Sequence, residues 1–222
     1  MQFTHKINTN GAYRIFFGWS VISNVATDLT MLHNYLKHNN ILRAVFSPLP
    51  LSSLHVTLYN IWANGGPLLD QQKQVLRLRD SANFGIYEAQ SRQIGYFNPY
   101  NCIDSLLYKI AHNINACKWG NIKLTVKGIV YNSSAIRLVF KKPPKQMNEC
   151  RQNIIDTVGR NDGLSKYHVT LGYIYKQITH EEKKLIDQEV NILNLLLQGQ
   201  TINLKAPFVA KFEDMTKFQP FS

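Results

Sequence analysis

The chain has 222 residues, with 25 lysines and arginines against 14 aspartates and glutamates, so its formal net charge is +11. With 45% hydrophobic residues it is too apolar for a disordered chain, and its length can bury a substantial core. Asn, Ser or Lys interrupts the longest apolar stretches, which excludes the run of about 18 apolar residues that a membrane span needs. We therefore expect a soluble globular protein.

Strands and helices alternate in the first part of the chain. Residues 13–25 are aromatic and β-branched, which predicts a strand. Thr27 and Asp28 then offer an N-cap for an amphipathic helix that ends near Asn39. Residues 54–62 alternate in the manner of a buried strand.

The middle of the chain contains one segment without clear periodicity, followed by three regular elements. Residues 71–99 are polar and predict either a helix or a flap that covers a ligand. Residues 103–119 have apolar side chains at helical spacing. Residues 122–130 and 135–140 alternate and are joined by a short polar turn, which predicts a hairpin.

The last third repeats the same kinds of element. Residues 146–158 predict a helix, and residues 166–175 predict a strand. Thr179 and Glu182 have the spacing of a capping box, which predicts the start of a long helix. Residues 202–221 predict one or two strands. The elements as a whole indicate an α+β fold of mostly antiparallel sheets with helices on the outer faces.

Charge and cysteine usage narrow the expected partners and compartment. Residues 121–160 contain eight basic and two acidic side chains, which favours a polyanionic partner such as a nucleotide or RNA, although a solvated lysine-rich face would have the same composition. Three scattered cysteines form no disulfide framework and suit a reducing compartment. Residues 1–10 lack the apolar core of a secretory signal, so we expect a cytoplasmic protein.

One short pattern occurs twice, once in each half of the chain. His55-Val56-Thr57 is followed by Leu and Tyr, and His168-Val169-Thr170 is followed by Leu, Gly and Tyr. Because side chains two apart in a strand share a face, each His lies on the same face as its Thr. A purely structural explanation, two strand histidines bonded to neighbouring threonines, stays open at this point.

The doubled His-x-Thr motif resembles that of the 2H phosphoesterase superfamily, which includes the LigT-like cyclic phosphodiesterases. Segments 10–18, 48–50 and 212–218 are similar to a LigT-related branch, so the resemblance spans nearly the whole chain. It implies one domain over residues 1–222, made of two interleaved, pseudo-symmetric lobes around a central cleft. It also implies a phosphodiester substrate of nucleotide or RNA type, and chemistry without a metal or other cofactor.

The residue types suit this chemistry independently of the resemblance. Opening a cyclic phosphodiester needs one group that takes a proton from water and one that gives a proton to the departing oxygen, and histidine can do both near neutral pH. Thr57 and Thr170 can donate hydroxyl hydrogens to phosphate oxygens. The resemblance implies His55 as general acid and His168 as general base, although the pattern itself leaves the two roles exchangeable.

The sequence departs from the LigT pattern at one position that bears on specificity. LigT-like RNA cyclic phosphodiesterases commonly carry Arg five residues after the second-motif His, where this chain has Tyr173. Tyrosine can stack on a base or donate a hydrogen bond, but it supplies no cation for phosphate. Tyr59 and Tyr173 are predicted to line the substrate pocket, with packing in the core as the alternative.

Three functional hypotheses follow. The first is hydrolysis of a 2′,3′-cyclic phosphate or a similar cyclic diester by the two histidines. The second is cleavage of a signalling oligonucleotide or cyclic dinucleotide at the same site. The third is a non-catalytic module that binds RNA or a nucleotide in the cleft.

Overall fold

The structure, a computed structural model, describes residues 6–14, 18–63, 103–158, 162, 164 and 166–221. The flap proposed at 71–99 lies outside the described residues. Within them, Cys117 and Cys150 carry free thiols, the first half-buried and the second buried. None of the helices in these ranges is long and apolar enough to cross a lipid bilayer.

The described ranges contain nine strands, five α-helices and a short 3-10 turn at Leu51–Ser53. The strands are β1 (Gly18–Asn24), β2 (Phe46–Pro48), β3 (His55–Ala63), β4 (Ile122–Tyr131), β5 (Ala135–Phe140), β6 (His168–Ile174), β7 (Thr201–Leu204), β8 (Phe208–Asp214) and β9 (Lys217–Pro220). The helices are α1 (Thr30–His38), α2 (Asn40–Arg43), α3 (Ile103–Ala116), α4 (Lys145–Val158) and α5 (His180–Leu197).

One sheet runs through the molecule in the order β7-β4-β5-β6-β3-β1-β8-β9, with β2 added beside β6. The strand pairs are antiparallel. We call β3, β1, β8 and β9 the first lobe and β6, β5, β4 and β7 the second lobe. Helices α3 and α4 pack on the first lobe, whereas α1, α2 and α5 cover the second. The predicted α+β class with two pseudo-symmetric lobes is confirmed.

The lobes are built from interleaved parts of the chain. The C-terminal strands β8 and β9 belong to the lobe that begins with β1, and the N-terminal helices α1 and α2 pack on the other lobe. Apolar side chains between sheet and helices form the core, and they include Leu58, Leu107, Leu138 and Ile186. Burial of these faces, rather than local propensity, accounts for the positions of the helices.

Most predicted elements are present, with small differences at their ends. The predicted hairpin of β4 and β5 is present, but Tyr131, expected in the turn, ends β4 and pairs with Ile136. The capping box is formed, because the Thr179 side chain accepts from the Glu182 amide while the Glu182 carboxylate accepts from the Thr179 amide. The prediction missed β2, whose three residues are too few to show alternation.

The C-terminal region differs from the prediction in the number of its strands. One or two strands were expected over 202–221, and the structure has three, β7, β8 and β9. Strands β7 and β9 contain four residues each, which is too short for a clear hydrophobic pattern. They pair with opposite lobes and form the two ends of the sheet.

The same edge of β6 pairs first with β3 and then, farther along, with β2. The register between β3 and β6 contains the single pair Val56–Val169, whereas β2 pairs Pro48 with Gly172 farther along β6. A Cβ atom at Gly172 would lie 2.6 Å from the Ser47 carbonyl oxygen. Only glycine therefore lets the β2 backbone approach this closely.

We predict that Gly172→Ala lowers the free energy of unfolding by about 1 to 3 kcal/mol, because the methyl group collides with backbone that cannot rotate away. Urea denaturation followed by circular dichroism measures the change. Gly120→Ala is the matched control, since nothing among the described residues lies within 4 Å of a Cβ there. An equal effect of the two substitutions would contradict the close-approach explanation.

Candidate active site

The two His-x-Thr motifs meet where the lobes join. Val56 lies opposite Val169 in an antiparallel pair. This register sets His55 opposite Thr170 and Thr57 opposite His168. Both valines are fully buried, so the four polar side chains share the other face of the sheet. A pseudo-twofold axis through the valine pair relates one motif to the other.

Each histidine is held by the same backbone contact. The Nδ1 atom of His55 lies 2.7 Å from the Ser53 carbonyl oxygen, and Nδ1 of His168 lies 3.2 Å from the Lys166 carbonyl oxygen. A carbonyl oxygen only accepts, so Nδ1 carries the proton in each neutral ring. Nε2 is therefore the nitrogen left for a substrate in both motifs.

Burial makes the two histidines weak bases. His55 is 8% exposed, and the Phe218 ring lies against it with centroids 4.2 Å apart. Burial lowers the pKa of His55 to about 4, assisted by the charges of Lys6 and His168 and opposed by the Ser53 hydrogen bond. Burial, the Arg137 charge and Lys6 also lower the pKa of the half-buried His168, against the bond to Lys166. Both shifts favour the neutral imidazole at pH 7.

A β-bulge brings Tyr173 to the face that carries the motifs. On β6, Thr170 lies opposite Arg137 and Gly172 lies opposite Ile136, so one residue of β6 is extra. The bulge reverses the alternation, and Tyr173 joins Thr170 on the same face. The Tyr173 hydroxyl accepts a hydrogen bond of 3.3 Å from Lys6. Tyr173 is buried in the core cluster, as the alternative predicted, but its hydroxyl lies at the edge of the site on the same face as Thr170.

A corresponding bulge on β3 turns Tyr59 away. Thr57 lies opposite Ile22 and Tyr59 lies opposite Val21, so the extra residue follows Thr57. Tyr59 is fully buried in the hydrophobic core, on the face away from the histidines. The pseudo-twofold counterpart of Tyr173 is Asn60. The structure therefore does not bring the predicted pocket residue Tyr59 to the site.

Two basic side chains that the motif analysis missed lie on the site face. Arg137 lies directly opposite Thr170, and its Nη2 atom donates to Ser134 Oγ at 3.0 Å. Lys6 reaches the site from the N-terminal segment. Arg137 belongs to the basic stretch noted in the sequence, but only the pairing of β5 with β6 reveals that it lies on the face of the motifs. Among the described residues, no three His, Cys, Asp or Glu side chains are placed to hold a metal ion.

We predict that the low pKa of His55 makes stability depend on pH. The unfolded chain protonates this histidine near pH 6.5, whereas the folded protein resists protonation until about pH 4. Stability is therefore lost as pH falls below 6.5, and the loss from this group levels off below about 4. Urea unfolding measures the free energy of unfolding at pH 7 and at pH 4.5. We expect this free energy to fall between the two pH values by about 2 to 3 kcal/mol less in His55→Gln than in the wild type.

His112→Gln, at an exposed position, controls for the substitution itself. An identical fall in the wild type and His55→Gln would show that burial does not suppress protonation at this site.

Known proteins resemble this chain at low identity. No family model matches the sequence. The chain is 25% identical over 218 residues to an uncharacterized protein, 127L, of Invertebrate iridescent virus 6, an alignment that spans 91% of this chain and 87% of the viral one. A conserved protein of unknown function from Agrobacterium tumefaciens superposes with a TM-score of 0.60 at 15% identity, over 98% of this chain and 89% of that chain.

The structure of E. coli LigT in its apo form superposes with a TM-score of 0.50 at 10% identity. The superposition covers 94% of this chain and 96% of LigT, so it includes both lobes rather than one shared motif. The doubled His-x-Thr motif, the two antiparallel lobes and this superposition agree with one another. The chain has a LigT-like fold.

Proposed function

We propose that this protein is a metal-independent phosphodiesterase that hydrolyses a cyclic phosphodiester of a nucleotide or an RNA end. The observation that carries the proposal is the Val56–Val169 register, which sets two histidines and two threonines on one face of the sheet. Two imidazoles with free Nε2 atoms on either side of an anion site are what in-line acid–base hydrolysis requires. The net charge of +11 and the basic side chains at the site suit an anionic substrate.

The proposed reaction is a single displacement at phosphorus. One neutral imidazole takes a proton from water as the water oxygen forms a bond to phosphorus. The other imidazole, protonated, gives its proton to the ribose oxygen as that oxygen leaves. Thr57 and Thr170 donate hydrogen bonds to the non-bridging oxygens, where negative charge increases in the transition state. The products are a phosphomonoester and a free hydroxyl group.

We assign the base role to His55 and the acid role to His168, the reverse of the roles implied by the resemblance. His55 is the more deeply buried of the two, and burial favours its neutral form. His168 is half-buried, so it can be charged at lower cost. A bound phosphodiester brings negative charge between the rings and raises the pKa of the group that must be protonated.

The function is tested by turnover of a panel in EDTA: 2′,3′-cyclic mononucleotides, 3′,5′-cyclic nucleotides, 2′-5′ and 3′-5′ oligoadenylates and cyclic dinucleotides. We expect wild type to open the 2′,3′-cyclic phosphates, and His55→Gln and His168→Gln each to lower kcat/KM by about 10² to 10⁴-fold. His112→Gln, outside the site, should retain wild-type activity.

Several results would contradict this proposal. Cleavage of only the oligoadenylates or cyclic dinucleotides would support the second hypothesis, in which the substrate is a signalling nucleotide. Binding of a nucleotide without turnover would favour the non-catalytic module. Activity that needs a metal and survives both histidine substitutions would show that the chemistry lies elsewhere.

The two histidine roles are separated by the leaving group. A substrate that releases 4-nitrophenolate needs no proton on the departing oxygen, so loss of the general acid matters less. With a nucleoside 3′-(4-nitrophenyl) phosphate, we expect the loss of kcat/KM in His168→Gln, relative to wild type, to be at least about tenfold smaller than with the cyclic phosphate. The loss in His55→Gln should be nearly the same with both substrates. Release of nitrophenolate measured by absorbance tests this assignment. The opposite pattern would restore the roles implied by the resemblance.

A further inference from the structure

The pseudo-twofold symmetry of the site is broken by one charged side chain. On the second lobe Arg137 lies opposite Thr170, and at the equivalent position on the first lobe Ile22 lies opposite Thr57. Ile22 is fully buried, whereas Arg137 is half-buried and faces the site. One threonine thus has a guanidinium beside it and the other has a hydrocarbon. The two sides of the site therefore differ in charge.

One nitrogen of the Arg137 guanidinium donates a hydrogen bond, whereas another is buried and has no acceptor among the described residues. Its Nη2 atom donates to Ser134 Oγ at 3.0 Å, and that hydroxyl donates onward to Asn132 Oδ1 at 2.8 Å. The Nε atom is buried without a hydrogen-bond partner in the part of the chain that the structure describes. A buried N–H of a cation without an acceptor is costly, and a phosphate oxygen is the acceptor that best suits a guanidinium.

The surroundings of Arg137 concentrate positive charge on this side. Arg137 lies opposite Thr170, two residues along β6 from His168, and after burial its charge is the next cause that lowers the pKa of His168. Lys6 donates to the Tyr173 hydroxyl at 3.3 Å and adds a second cation near both histidines.

We propose that Arg137 binds a non-bridging oxygen of the reacting phosphate beside Thr170, and so fixes which way the substrate lies in an otherwise pseudo-symmetric cleft. The inference rests on the proposed function, since it assigns a phosphate-binding residue to the same site. The hairpin turn at Asn132 and Ser134 positions the guanidinium from one side, and its Nε–H then points to the ligand.

The experiment measures binding of inorganic phosphate by isothermal titration calorimetry, which needs no turnover. We expect Arg137→Gln to weaken phosphate binding by at least about tenfold, and Arg137→Lys to weaken it less because the charge is kept while the planar fork is lost. Arg43→Gln removes the same charge from an exposed position on α2 and should change the affinity less than twofold. Circular dichroism and thermal unfolding verify the fold of each variant.

A second readout is independent of any ligand. Histidine titration by NMR in the free protein should show the pKa of His168 rising in Arg137→Gln and staying unchanged in Arg43→Gln. Wild-type phosphate affinity in both Arg137 variants would overturn the proposal, even if His55→Gln abolishes turnover. Loss of phosphate binding specific to Arg137 supports it even if no diester is hydrolysed, in which case the proposed function alone fails. If Arg137→Gln does not fold, the phosphate affinity of Arg137→Lys is compared with that of wild type instead, and an unchanged affinity would overturn the proposal.

Discussion

The short contact between β3 and β6 is the constraint on which the site depends. Because Val56 lies opposite Val169, each histidine lies opposite the threonine of the other motif. Both valines are fully buried, and their burial stabilises this register. A shift of one residue in either strand would move a histidine to the core face. The two lobes diverge beyond this pair, with β2 completing the edge of β6 beside Gly172. The same junction therefore aligns the two His-x-Thr motifs on one face of the sheet.

Burial and charge act together on the two imidazoles. Desolvation favours their neutral forms, and the neighbouring cations Arg137 and Lys6 favour them further. An anion that enters the cleft reverses this balance, because its charge stabilises both the cations and a protonated imidazole. In the proposed reaction, the substrate's negative charge raises the pKa of the general acid, and in the free protein burial makes protonation of the same imidazoles costly.

The pseudo-symmetry of the fold is imperfect in ways that give the site a direction. Both central strands carry a bulge directly after the motif threonine. After the bulge the first lobe has buried Tyr59, whose counterpart is Gly172 under the β2 backbone. Beside the threonines, the first lobe has Ile22 and the second has Arg137. The side chains beside the motif threonines thus distinguish the two sides of the site.

By itself the sequence determined the α+β class, most of the regular elements and the pairing of His55-x-Thr57 with His168-x-Thr170, because alternation, capping and motif spacing are local properties of the chain. It did not reveal β2 or the number of C-terminal strands, since these strands are too short to have a pattern. Only the tertiary structure decided that Tyr173 and not Tyr59 faces the site, because each bulge changes the alternation by one residue. It also decided which basic side chain lies beside Thr170, because strand register is a long-range property set by packing across the sheet.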